Sequence, residues 1–447
     1  MKRYEEYRES DIYWLGKIPK DWNVESLKNI LIERNEKNYP IKSKERLSLS
    51  IEKGVTLYAD KTTNLDRFKD DFTQYKLAHK GDLVLNSMNM IVGAVGVSNY
   101  FGCVSPVYYT YYGDINSSKF YEYLFRCKTL QGVLYSLGKG LMAIDRGDGK
   151  YNTLRLKVSR DDLRSLKLPL PSTEEQIQIV SYLDDKTAKI DQTIAIRQKE
   201  IELLKERRQI LIQQAVTKGL DGAVPMKTSG VEWIGQIPEH WEVRKLKYLG
   251  SMFSGLTNKK GDDFSKEPKE GFSPFIPFTN IFRNNKISEN ELHFVKSDPY
   301  DVQNVVEFND ILFLMSSETF DDIGKNSIYL GKTKVFLNSF CKGFKVSDKN
   351  ISPLYINFLL LSKNYREYFA SVGRGFTRIN IKQEYVLDMP ILYLPLHEQV
   401  QITTHLEEIE AIITKAIALK EQEIEKLKEY KTVLIDNVVT GKVKINL

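Results

Sequence analysis

At 447 residues the chain exceeds the usual span of one domain, so two globular units with connecting helices are expected. Its 42% apolar and 11% aromatic content excludes a disordered chain, and its apolar runs are too short to predict a membrane span. The net charge of +6 is unevenly placed. Residues 172–218 are neutral and residues 397–440 carry −4, so the remaining residues carry +10. A basic excess on globular parts, beside neutral-to-acidic helices, fits modules that meet a polyanion on a spacer that does not.

The N-terminal stretch MKRYEEYRESDIYW is charged and lacks the apolar centre of a secretory signal. Cys103, Cys127 and Cys341 are widely spaced, which suits a reducing cytosol and predicts neither a disulfide framework nor a zinc site. A cytoplasmic location is expected. Residues 10–30, SDIYWLGKIPKDWNVESLKNI, recur 219 positions later as SGVEWIGQIPEHWEVRKLKYL, with nine of 21 positions identical. All four tryptophans, Trp14, Trp22, Trp233 and Trp241, lie in this repeat, whose pattern fits a packed opening segment better than a base-stacking platform. In the first globular unit, 45–51, 81–87 and 104–112 are predicted strands, and 119–127 and 130–137 are predicted helices. A glycine-rich loop follows over 138–153.

From Pro169 to Leu220 the chain reads PLPSTEEQIQIVSYLDDKTAKIDQTIAIRQKEIELLKERRQILIQQAVTKGL. Ile190, Ile194, Ile201, Leu204, Leu211 and Ala215 recur at heptad spacing, which puts one apolar seam on a helix roughly 70 Å long. Such a helix needs a partner. Shifted by 223 positions, Ile413, Ile417, Ile424, Leu427, Leu434 and Val438 repeat the seam at the C-terminus. Arg197, Arg208, Lys420 and Lys431 occupy seam-register positions, where polar groups fix register at some cost in stability. Between the two helices, 274–280 and 310–316 are predicted strands, 355–369 is a predicted amphipathic helix, and 373–380 (GRGFTRIN) is a second glycine-rich loop. The repeated order of unit and helix marks a duplication. The expected fold is α+β: two similar mixed α/β globular domains separated by two long antiparallel coiled-coil helices, related by a pseudo-twofold.

No catalytic constellation is found. GKNSIYLGKT over 324–333 ends like a phosphate-binding loop, but Asn326 stands where its first glycine belongs. Asp298-Pro299-Tyr300 lacks the second proline of an amino-methyltransferase motif. The five histidines have no metal-ligand spacing, and no nucleophile elbow is present. A non-catalytic chain binding no metal is expected. What remains is a set of polar and basic residues where strands and glycine loops end. In the first unit these are Asn86, Ser87, Asn89, Lys139, Arg146, Lys150 and Asn152. In the second they are Thr257, Asn258, Lys259, Lys260, Asn280, Arg283, Ser316, Ser317, Arg374, Thr377 and Arg378. Asn, Arg and Lys read base edges, while Lys, Ser and Thr secure phosphates.

PLPSTEEQIQIVSYLDDKTAKID and PLHEQVQITTHLEEIEAII resemble the Pro-Leu-Pro, Glu-Gln-x-x-Ile, Leu-Asp signature of type I restriction-modification specificity subunits. EWIGQIPEHWEVRKLKYL, GDLVLNSMNMIVGAVGV and FSGLTNKKGDDF resemble pieces of their target recognition domains. The resemblance covers nearly the whole chain. It departs at Leu394-Pro395-Leu396, which replaces the second Pro-Leu-Pro, and after Leu406, where no Asp follows. The resemblance implies target recognition domains over 1–168 and 221–394, with spacer helices over 169–220 and 395–447. It implies that each domain reads one half of a split site in double-stranded DNA, and that the helices fix the spacing and dock two methyltransferase subunits. Two restriction subunits would complete the complex. S-adenosylmethionine, ATP and magnesium would then belong to those partner subunits and not to this chain. A rod near 70 Å matches about two turns of duplex at roughly 34 Å each. The rival expectations are a stand-alone two-headed DNA-binding regulator and a coiled-coil scaffold that binds protein.

Overall fold

The computed structural model describes residues 2–61, 71–140, 156–298 and 302–445. The chain divides into two compact units. Unit 1 comprises Met1–Gln198 with Glu421–Leu447, and unit 2 comprises Lys199–Lys420.

Unit 1 centres on an antiparallel sheet in the order Ile32–Arg34, Tyr108–Tyr112, Leu83–Asn86, Val95–Val97. Alternation along a strand sends successive side chains to opposite faces. Leu83 and Leu85 therefore join the core shared with helices α1 (Ile115–Arg126) and α2 (Lys128–Leu137), whereas Val84 joins a second cluster with Leu47, Leu49 and Val55. Both faces are buried, so the strand carries no solvent stripe. In unit 2 the strand Ile311–Leu314 does the same work: Ile311 and Phe313 face one core, Leu312 and Leu314 the other.

Both strands start from the same turn. Gly81 and Asn309 take positive φ, and the next residue, Asp82 or Asp310, accepts a hydrogen bond from the backbone three residues back, at 2.8 Å in each unit. The charges are handled differently. Asp82 is clamped by Arg34 at 2.6 Å, whereas burial pushes the Asp310 carboxyl from 3.8 up to about 6, against the Glu307 N–H and the Lys345 charge. A raised acid pKa means the folded state holds the proton more tightly than the unfolded chain. The resulting stability is present below about pH 4 and is lost as pH rises through about 6. Complete loss of that proton preference corresponds to about 3 kcal/mol. Asp310→Asn is therefore expected to gain about 2 kcal/mol over the parent at pH 7.5 and nothing at pH 4 in urea titrations. An equal difference at both pH values would contradict this.

Each unit closes on a long helix. The strand Asn23–Ser26 pairs antiparallel with Lys167–Leu170, which leads into α3 (Thr173–Lys218). Likewise Glu242–Lys245 pairs with Pro390–Tyr393, which leads into α6 (Leu396–Val439). Trp22 and Trp241 are fully buried, and each indole N–H donates to the first-turn glutamate of the helix it seats: Glu175 at 2.8 Å and Glu398 at 3.0 Å. The next residue secures the turn, since the Gln176 and Gln399 amides donate to the carbonyls of Pro171 and Leu394. These tryptophans are structural anchors.

Within unit 1, α3 and α6 run antiparallel. Lys431 meets Asp191 at 2.7 Å, Arg197 meets Glu423 at 2.8 Å, and Ile190 shares a core with Leu434 and Val438. Within unit 2, Lys420 meets Glu200 at 3.0 Å, and Ile212 and Ala215 share a core with Ile402 and Leu406. Of the seam residues, Ile190, Ile201, Ile413, Ile424 and Leu434 are buried, while Ile194, Leu204, Leu211, Ile417 and Leu427 are partly so.

Three predicted elements are corrected. The strand expected over 104–112 is two, Gly102–Val104 and Tyr108–Tyr112, because Pro106 sits in a turn closed by Tyr108 N–H to Ser105 at 3.0 Å. The strand expected over 274–280 is Phe272–Ile276, and Pro277, which lacks an N–H for the ladder, opens the helix Phe278–Arg283. The helix expected over 355–369 is two, α4 (Pro353–Leu361) and α5 (Lys363–Val372). Ser362 breaks it with extended ψ, its hydroxyl turned back onto Leu359. Helix α4 is buried on nearly every side, so amphipathic periodicity does not describe it. Among the described residues, no helix is long and apolar enough to cross a membrane.

Candidate nucleic-acid interface

The residues expected to contact DNA fall into three groups. Asn86, Ser87 and Asn280 are buried and belong to the framework. The Asn86 carboxamide accepts from the N–H of Met88 at 3.1 Å, and the Ser87 carbonyl accepts from Val158 at 3.0 Å. Asn280 donates to the Glu291 carbonyl at 2.7 Å. The Asn86 and Asn280 side chains are held by these bonds, as polar residues at strand and helix ends satisfy nearby backbone groups first, while the Ser87 hydroxyl is buried without a hydrogen-bond partner. Arg146, Lys150 and Asn152 lie outside the described residues. The rest of the unit 1 group is exposed: Asn89 in the turn after the central strand, and Lys139 against Asp162 at 3.2 Å.

In unit 2 the candidates gather in two places. Thr257, Asn258, Lys259 and Lys260 form a loop after the strand Gly250–Ser254, tied by the Thr257 N–H to the Gln303 side chain at 3.0 Å, with Asn258 at φ +59°. Arg283, Ser316, Ser317 and Arg378 line a cleft of about 540 Å³. The helix Phe278–Arg283 supplies its aromatic wall, because Phe278 and Phe282 stand one turn apart with rings 6.3 Å apart and nearly parallel. The strand Ser316–Ser317 supplies the floor, pairing with Ile379–Asn380. Arg378 lies over the Phe340 ring at 5.2 Å and Lys325 over Phe282 at 4.1 Å, so cations flank exposed aromatic faces. Asp322, in the same wall, pairs with Lys325 at 2.8 Å. Burial opposes its ionisation, yet hydrogen bonds from Lys325 and Thr319 hold it below the usual carboxylate range.

Arg374 does not point into this cleft: its guanidinium caps the end of α5, donating to the Ser371 and Gly373 carbonyls at 2.6 and 2.7 Å. Thr377 is exposed on the same loop. The aromatic part of the cleft is not legible in the sequence. Phe278 and Phe282 share one helix and Phe340 comes from a separate stretch, and each alone reads as core. Among the described residues, no group of three His, Cys, Asp or Glu side chains is placed to hold a metal ion.

An aromatic-walled cleft lined by arginines suits stacking and phosphate contact, chemistry that nucleic acid offers. A family model for the type I restriction modification DNA specificity domain matches residues 238–429. The chain is 24% identical over 453 residues to a putative type I restriction enzyme specificity subunit, MjaX, of Methanocaldococcus jannaschii, covering 96% of each. It is 27% identical to the EcoKI specificity subunit of Escherichia coli K12 over 46% of this chain and 44% of that one. In fold it is similar to a chain of a type I R-M system complex, with a TM-score of 0.69 at 15% identity, over 95% of this chain and 99% of that one. The HsdS subunit of Thermoanaerobacter tengcongensis gives a TM-score of 0.54 at 12% identity, over 95% and 98%.

Proposed function

We propose, for a chain that belongs to the family of type I restriction-modification specificity subunits, that its two units each read one half of a bipartite, asymmetric site in double-stranded DNA. The observation that carries this is a frame repeated with different edges. Both units have the tryptophan-to-glutamate clamp, the two-faced central strand and the paired helices. They differ in the loops that frame presents. Among the described residues, unit 2 has the cleft with Arg283 and Arg378, while unit 1 offers Asn89 and Lys139. We read the pair as a duplication, with target recognition domains over 1–168 and 221–394 and spacer helices over 169–220 and 395–447.

The helices set the spacing between half-sites and dock two methyltransferase subunits, and two restriction subunits complete the assembly. Helix lengths of 46 and 44 residues support the spacing role. A second apolar row supports the docking role. Ile196, Leu203 and Ile210 on α3, and Ile412, Leu419 and Val433 on α6, stand outside the seam and are about half-exposed or more. Catalysis, with S-adenosylmethionine, ATP and magnesium, belongs to the partner subunits, and this chain supplies the address.

The complex with its methyltransferase subunits is expected to bind its duplex site with steep salt dependence, losing roughly a thousandfold in affinity between about 50 and about 200 mM salt if six phosphates are contacted. Salt-insensitive binding, or no DNA binding at all, would favour the scaffold alternative.

A further inference from the structure

One large apolar side chain of unit 2 is placed where neither folding nor the cleft accounts for it. Phe376 is 106% exposed, at the tip of the loop that follows α5. A phenylalanine so placed contributes nothing to the core, yet the loop is built to hold it out. Arg374 and Asn380 exchange backbone hydrogen bonds of 3.0 and 2.8 Å, closing the loop at its base. Ile379 and Asn380 continue into the ladder with Ser317 and Ser316 on the cleft floor. Gly375 has φ +141°, and a Cβ there would lie 1.9 Å from the Arg378 carbonyl oxygen, so only glycine permits this turn. The charge along the loop has one sign: from Gly373 to Lys382 there are three cations, Arg374, Arg378 and Lys382, and no acid, while Glu318 and Asp322 stand with Arg378 in the neighbouring cleft.

An apolar tip on a loop that is closed at its base and carries only cations fits a polyanion with a stacked apolar interior. Proteins that unstack a duplex insert such wedges between base steps while flanking cations hold the backbone. We propose that Phe376 enters the DNA stack as a wedge, opening one base step in the half-site read by unit 2. This rests on the reading of unit 2 as a DNA-reading domain and goes beyond it, because it assigns that domain a distortion of the duplex as well as contacts to it.

The test uses the full chain assembled with its methyltransferase subunits, on duplexes carrying 2-aminopurine at successive positions of the unit 2 half-site. The parent complex is expected to show a severalfold fluorescence rise at one step, separate from the position of the methylated adenine, where base flipping gives its own signal. Phe376→Ala is expected to abolish that rise, leave the flipping signal, and weaken specific binding roughly tenfold. Phe376→Leu, which keeps an apolar wedge, is expected to retain it. If the parent and Phe376→Ala bind the site specifically with identical fluorescence profiles, the wedge is wrong and the DNA-reading role stands. If Phe376→Ala instead prevents association with the methyltransferase subunits, Phe376 is a protein contact and the wedge is equally wrong. If the parent complex binds no specific duplex, both readings fall.

Discussion

Trp241→Ala is expected to destabilise unit 2 by about 3–5 kcal/mol, the usual cost of deleting a large buried aromatic side chain. The indole is fully buried, and its N–H satisfies the first-turn carboxylate of α6 at 3.0 Å. Its six-membered ring also packs against Gly219 at the end of α3. The substitution therefore opens a cavity and leaves Glu398 with one donor fewer, His240 remaining at 2.7 Å. Trp241→Phe keeps most of the volume and loses the hydrogen bond, so about 1–3 kcal/mol is expected. Trp22→Ala should behave alike in unit 1, where the indole packs edge-on against Phe120 and donates to Glu175. Urea denaturation followed by far-ultraviolet circular dichroism measures all three. A loss below about 1 kcal/mol for Trp241→Ala would contradict the anchoring role.

The second large effect concerns assembly. Replacing Ile196, Leu203 and Ile210 together by glutamate is expected to abolish co-purification with the methyltransferase subunits while leaving the midpoint of thermal unfolding nearly unchanged. These residues lie seven apart along one face of α3 and are about half-exposed, so the folded chain gains little from them. Glutamate is a good helix former, so the helix itself is preserved. A partner helix that buries all three would lose about 1–2 kcal/mol at each, together a factor of roughly 10² to 10⁴ in affinity. Undiminished assembly would place the docking surface elsewhere.

The helices are readable because heptad spacing is a long, redundant signal, and the 223-residue repeat gives each seam residue a counterpart. The glutamate-glutamine pair that opens each helix is visible as a motif, and its geometry supplies the reason: the glutamate receives the indole N–H and the glutamine closes the first turn. The cleft is only half readable. Arg283, Ser316, Ser317 and Arg378 follow from residue type, but the aromatic surround depends on the helix Phe278–Arg283 meeting Phe340 in space, which no local pattern encodes. Asn86, Ser87 and Asn280 mislead for a related reason. A polar side chain at the end of a strand looks the same in sequence whether it faces a ligand or bonds its own turn.

Mapping methylated adenine genome-wide in cells with and without this gene tests whether two unlike units on one chain read two unlike half-sites. One motif that depends on the gene is expected, made of two different half-sites separated by a gap of fixed length. A continuous or palindromic motif, or an unchanged methylome, would contradict that reading.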